Sequence, residues 1–115
     1  MSITKISAAM ANLDGAVTIN ESSADVDFRI ESDGDANMLF VDGGNNAVGI
    51  GTGSPTSPNS VNRFLHIHNA DHSSIVMSDD QNTWEIVSNN SLSIRDGTDT
   101  RLTIDASGLL DVQGT

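Results

Sequence analysis

The sequence predicts an all-β protein built from short antiparallel strands. From residue 16 onward, apolar and polar residues alternate with a period of two, as half-buried strands require. Gly, Asn, Asp and Ser make up 49 of the 115 residues, and this turn-rich composition favours many short strands over long helices. The apolar runs recur about every ten residues, which is typical of a sandwich, a barrel or a β-prism.

Residues 1–20 are interpreted as an N-terminal anchor or arm. Ile3, Ile6, Met10 and Leu13 have helical spacing, and three alanines lie among them. A short amphipathic helix is possible here, and a docking or capping segment or a β-arm is the other interpretation. The choice between helix and strand stays open at this point.

Two small modules in tandem are predicted for the rest of the chain. The first spans residues 21–52, the second spans residues 63–115, and residues 53–62 (GSPTSPNSVN) hold both prolines and are interpreted as an extended linker. The predicted strands cover residues 16–19, 26–30, 38–42, 47–52, 64–68, 74–78, 84–88, 92–95, 101–105 and 109–112.

One hairpin pattern occurs twice. LFVDGGNNAVGI (39–50) and LTIDASGLLDV (102–112) share alternating apolar residues, an aspartate, a turn and a second alternating run. Because the pattern is repeated only once, it indicates a tandem module and not a solenoid.

Composition and charge exclude several functional classes. Sixteen acidic and five basic residues give a net charge of −11, which opposes binding to nucleic acid and to anionic membranes. No apolar run reaches the ~18 residues of a membrane span, and the first residues lack a secretory-signal pattern. The chain has no cysteine, so it has no disulfide framework. We expect a protein without nucleic-acid partners and without membrane insertion.

The segment AVGIGT (47–52) is the most informative. Val48 and Ile50 lie on one face of a predicted strand, whereas Gly49 and Gly51 leave the other face without side chains. A glycine-only face admits another backbone closely, and around a three-fold axis three such strands could interlock. These four residues are therefore predicted to lie at a trimer interface. A phosphate-binding loop is excluded because the segment lacks the lysine and is followed by prolines.

The segments DFRIESDGDANMLFVDGGNNAVGIGTGSP (27–55), FLHIH (64–68) and TRLTIDASG (100–108) occur in an order that resembles the tail-fibre and related virion appendage proteins of tailed bacteriophages. The resemblance covers the chain from about residue 16 onward. It implies an intertwined, β-structured homotrimer on the virion surface, either a tail fibre or a small capsid-decoration or head-fibre protein. The implied partners are other capsid or tail proteins and a host surface glycan or receptor.

Two constellations suggest cations, but each has a simpler interpretation. His66 and His68 alternate on one strand face and in a trimer could present six imidazoles to a transition metal, although a polar outer face is favoured. Asp33, Asp35 and Asn37 imitate the start of a calcium loop, but the glycine and glutamate that such a loop requires later are missing. No cofactor and no metal site is predicted.

An enzymatic role is not predicted. Asp79 with Asp80, or Glu85 beside Trp84, are the candidate acids of a glycan-cleaving enzyme, but no spacing rule separates them from ordinary turn residues. Trp84 alternates with Ile86, which favours a core position, and an exposed edge could also contact a receptor or glycan. The sequence therefore predicts a structural protein, with a glycan- or receptor-binding adhesin module as the alternative.

Overall fold

The computed structural model describes residues 15–20 and 22–114, so the predicted helix or arm at residues 3–13 lies outside the described residues. Two sheets form the described part of the chain, and it contains no helix. The all-β prediction is confirmed. Residues 16–19, predicted as a strand, lie in irregular structure, because no strand pairs with them.

The first sheet has four strands in the order in which they occur along the chain. They are β1 (Phe28–Ile30), β2 (Leu39–Asp42), β3 (Ala47–Ile50) and β4 (Phe64–Ile67). The first two pairings are antiparallel, but β3 and β4 are parallel, which differs from the expectation of antiparallel strands throughout. A parallel neighbour requires a crossover connection, and residues 51–63 provide it.

The second sheet is a five-stranded antiparallel meander. Its strands are β5 (Ser73–Ser78), β6 (Thr83–Ser88), β7 (Leu92–Asp96), β8 (Asp99–Ile104) and β9 (Leu110–Val112). A register shift between Ile94 and Arg95 places Arg101 as an extra residue in β8. The strand β4, which the sequence grouped with the second module, pairs with β3 in the first sheet, so the break between sheets falls at residues 68–72. The module boundaries as folding units stay a prediction.

The repeated pattern forms an antiparallel hairpin at both places, although the connections between the strands differ in length. Residues 39–50 form the hairpin β2–β3, and residues 102–112 form the hairpin β8–β9. Val41 faces Val48 in the first, and Ile104 faces Leu110 in the second.

The chain buries little apolar surface. Among the described residues, the buried hydrophobic side chains are Phe40, Ala47 and Val87, whereas 18 large hydrophobic residues are exposed. The accessible surface is 9224 Å², compared with about 6,000 Å² expected for a compact monomer of this size. The radius of gyration is 18.9 Å, whereas a compact domain of this length has about 13 Å. The part of the chain that the structure describes therefore lacks the core of an ordinary globular domain.

Candidate assembly surface

One face of the second sheet is almost entirely apolar. Residues that face each other across neighbouring strands lie on the same side of a sheet, so the strand register assigns each side chain to a face. This register places ten apolar side chains on one face: Ile75, Met77, Trp84, Ile86, Leu92, Ile94, Leu102, Ile104, Leu110 and Val112. The opposite face carries mostly serine, threonine and charged residues, so the sheet has one apolar and one polar side.

The apolar face of the second sheet is open. All ten of its side chains are exposed or half-buried, with Ile75 at 48%, Trp84 at 41% and Val112 at 66% exposure. Charged side chains in the described part of this face lie at the β7–β8 turn, where Asp96 is paired with Arg101 at 3.1 Å. The face therefore offers hydrophobic surface without charges in its centre.

The first sheet has an apolar face of the same kind. Its register brings together eight apolar side chains: Phe28, Ile30, Leu39, Val41, Val48, Ile50, Leu65 and Ile67. These residues are exposed or half-buried. The other face carries Phe40, Ala47 and Gly49, which are buried. The small core of the first sheet therefore lies on only one of its two sides.

The chain's own crossover contacts that second side of the first sheet. Pro55 of the crossover is buried, and the backbone N–H of Thr56 donates a hydrogen bond to Nδ1 of His66 at 3.3 Å. A Cβ on Gly49 would overlap the carbonyl oxygen of Thr52. The backbone that approaches this glycine thus belongs to the same chain. The sequence had instead suggested that the backbone of another subunit approaches it.

The four predicted interface residues divide into two pairs. Val48 and Ile50 lie on the open apolar face. Gly51 has a positive φ of 72°, and its amide donates to the carbonyl oxygen of Asn37 at 3.0 Å. A Cβ on Gly51 would overlap the carbonyl oxygen of His68. Gly49 and Gly51 are therefore explained by contacts within the chain, and Val48 and Ile50 are the two that remain available to a partner.

The two apolar faces meet at the junction of the sheets. A depression of about 200 Å³ is lined by Leu65 and Ile67 from the first sheet and by Ile75, Ile86 and Leu92 from the second. Side chains of both apolar faces line this depression together with Ser74 and Val87 of the opposite face, so the two apolar faces adjoin there. We call these 18 residues the apolar surface. Their exposed area is on the order of 1,000 Å², comparable with the ~800 Å² that each partner contributes to a standard interface.

Sequence reasoning found part of this surface. It singled out Val48, Ile50 and Trp84 as candidate contacts but not the nine other apolar positions that share this face with Trp84 on β5 to β9. The alternating pattern marks an apolar side for each strand, but only the pairing register shows that all five apolar sides coincide. The signal was present in the strands, and the missing information was how the strands pair.

The histidine pair lies on the side away from the apolar surface. His66 faces Gly49 across β3 and β4, and the rings of His66 and His68 are 5.7 Å apart. Since Nδ1 of His66 accepts the Thr56 N–H, only Nε2 of this ring is free to bind a metal. Within the described residues, no group of three or more His, Cys, Asp or Glu side chains is arranged to hold a metal ion.

The candidate acidic residues mainly hold turns. The Asp79 carboxylate accepts the backbone N–H groups of Gln81 and Asn82, both at 2.8 Å, and these bonds lower its pKa. The Asp35 carboxylate accepts the N–H of Asn37 at 2.7 Å in the same manner. Glu85 lies on the polar face, opposite Val76 and Arg95. The turn that imitates a calcium loop is thus stabilised by its own aspartate.

No protein-family model matches this chain, and no curated protein sequence matches it either. The residues that the structure describes contain no helix long and apolar enough to cross a membrane.

Proposed function

We propose that this chain is a non-enzymatic structural protein of a tailed-phage virion, and that three copies assemble into a surface appendage, either a tail fibre or a small capsid-decoration or head-fibre protein. The observation that carries the proposal is the apolar surface, an open hydrophobic face that runs across two single-layer sheets. A soluble chain stabilises such a face by packing it against another surface.

The dimensions of the second sheet favour a trimer. Five strands spaced about 4.8 Å apart give a sheet about 20 Å wide, and three such sheets can form the sides of a triangular prism. Each sheet then lies about 6 Å from the axis, close to the ~5 Å that inward side chains span in a packed sandwich. The apolar faces point inward and fill the prism, and the polar faces point outward, where Val87 and Ser93 are already buried within the single chain.

A face-to-face dimer fits less well. It would cover the apolar faces but would leave the edges β5 and β9 of both sheets unpaired, and exposed edges promote aggregation. A three-fold arrangement covers the faces and brings edges of neighbouring copies together. The resemblance to phage appendage proteins points to the same symmetry.

Placement on the virion rests on the sequence resemblance, and capsid or tail proteins are the proposed partners. A receptor or glycan contact at Trp84 competes with the assembly role, because its side chain lies among the apolar residues that a trimer would bury. We therefore assign Trp84 to the interior of the assembly and leave receptor binding as the alternative function.

The single tryptophan makes the assembly easy to measure. Trp84 is 41% exposed in one chain, so its fluorescence should shift to shorter wavelength when copies associate and return on dilution. Light scattering at micromolar concentration and moderate salt should give three chain masses. A monomer under these conditions would contradict the assembly, and absence of the protein from purified virions would contradict the virion role.

A further inference from the structure

The second sheet has two open edges of different character. β5 is one edge and β9 is the other, and each pairs with only one neighbouring strand in the described part of the chain. Natural proteins usually protect an edge strand with charges, proline or a bulge. Neither of these two edges carries full protection of that kind.

The edge β5 is long and uncharged. Its six residues, SSIVMS, include no charged side chain and no proline. Val76 on its polar side is 54% exposed, although its neighbours on that face are polar. By contrast, the edge β1 of the first sheet carries Arg29, which forms an ion pair with Glu31 at 2.5 Å. β5 therefore has the composition of a strand that receives another strand.

The edge β9 is short and its apolar side chains are exposed. Leu110 and Val112 are exposed by 57% and 66%, and Leu109, which precedes the strand, by 65%. A strand of three residues that pairs on one side buries little surface of its own. Pairing with a second neighbour would therefore stabilise it most. Its apolar side chains continue the apolar face up to the edge.

The directions of the two edges fit a rotation about an axis parallel to the strands. In a meander of five antiparallel strands, the first and the last run in the same direction. Such a rotation keeps strand direction and keeps the apolar faces turned to the axis. The edge β9 of one copy then meets the edge β5 of the next copy in parallel orientation, and after three copies the ring is closed.

We propose that the trimer closes through this head-to-tail junction, with β9 of each copy beside β5 of the next. This inference rests on the proposed trimeric assembly and adds which edges meet and in which direction. The partner is a second copy of this chain, and the junction extends the apolar surface without interruption from one copy to the next.

A cross-linking experiment can test the junction because the chain has no cysteine. Val76→Cys and Asp111→Cys both place a thiol on the polar outer face, one on each edge. Within one copy these thiols are separated by the width of the sheet, about 19 Å, so a bismaleimide shorter than that can link them only between copies. The same experiment is repeated with Ser74→Cys or Ser78→Cys in place of Val76→Cys, so that each outward position of β5 is tested.

The double variant should yield a covalent trimer on a denaturing gel, and each single variant should stay uncross-linked. Cross-linked dimers from a single variant would indicate like edges meeting across a two-fold axis and would overturn the proposal. Light scattering of the unmodified chain distinguishes failure of the proposed junction from failure of the proposed trimeric assembly. A trimer in which no double variant is cross-linked overturns the junction alone, whereas a monomer overturns the proposed assembly as well.

Discussion

Asp42 and Asp105 hold the turns of the two repeated hairpins in the same way. The Asp42 carboxylate accepts the backbone N–H of Asn45 at 2.7 Å, and the Asp105 carboxylate accepts those of Ser107 and Leu109 at 2.8 and 2.9 Å. The pKa of Asp42 is lowered mainly by the Asn45 side-chain amide, and that of Asp105 mainly by the Ser107 hydroxyl. The sequence echo thus corresponds to one turn chemistry used twice.

The Asp105→Ala variant should lower the melting temperature at pH 7 by a few degrees, because the turn between β8 and β9 loses its acceptor. The folded pKa of Asp105 lies below the unfolded value of about 3.9, so its stabilisation is complete well above that value and is lost as the pH falls through the folded pKa. Melting curves of the variant and the native chain should therefore converge at acidic pH. Asp80→Ala removes the same charge from another turn and serves as the control. An equal loss in both variants would show a charge effect and not a turn effect.

The Gly49→Ala variant should destabilise the individual chain. The added Cβ overlaps the carbonyl oxygen of Thr52, so the crossover must move away from the sheet, at a cost of about 1–3 kcal/mol in free energy of unfolding. Gly34→Ala is the matched control, since a Cβ at Gly34 meets no atom within 4 Å. Chemical denaturation monitored by circular dichroism measures both variants. If Gly49→Ala weakened only the association and left the unfolding of the chain unchanged, a subunit contact at Gly49 would be indicated instead.

The fold was largely predictable because turn residues and alternation are local signals. Nine of the ten predicted strands correspond to observed strands, and their bounds differ by a few residues. The sheet membership of β4 was not predictable, since Phe64–Ile67 pairs with β3 across a crossover that contains both prolines. Proline marked the segment correctly as extended, but it could not show that the segment folds back onto the glycine side of β3.

The candidate site was predictable only in part, for a similar reason. A glycine beside a valine on one strand indicates a close approach, but not which chain approaches. In the structure, Thr52 and His68 of the same chain lie against Gly49 and Gly51. Val48 and Ile50 are half-buried and remain accessible to a partner, although Ile19 and Val26 line a cavity of about 540 Å³ together with Val41 and Val48 on the same face.

The histidine pair should be dispensable for assembly. His66 and His68 lie on the face of the first sheet opposite to the apolar surface, so a trimer with apolar faces inward turns them outward. His68→Ala and treatment with a chelator should leave the trimer mass unchanged. Elemental analysis that finds one transition-metal ion per three chains, lost in His68→Ala, would contradict this expectation.

Association should strengthen with ionic strength. Each chain carries a net charge of −11, so three chains together carry three times that charge, or −33. Salt screens this repulsion over a Debye length of about 10 Å at 0.1 M, whereas burial of apolar surface is not weakened by it. The dissociation constant obtained from Trp84 fluorescence should fall as sodium chloride rises from low to moderate concentration. An increase in the dissociation constant would indicate that ion pairs between copies dominate the contact.

The neighbouring residues Ile75 and Val76 provide the sharpest test of which face assembles. They are consecutive on β5, are exposed by 48% and 54%, and lie on opposite faces of the sheet. Ile75→Asn should weaken association because burial of the native side chain contributes on the order of 2 kcal/mol per copy and the amide would be buried without a partner. Val76→Asn makes a similar change in strand propensity and polarity on the outer face, so the trimer should persist. Sedimentation equilibrium measures the dissociation constants of both variants. If the two variants weaken association equally, or if Val76→Asn weakens it more, the apolar surface is the wrong interface.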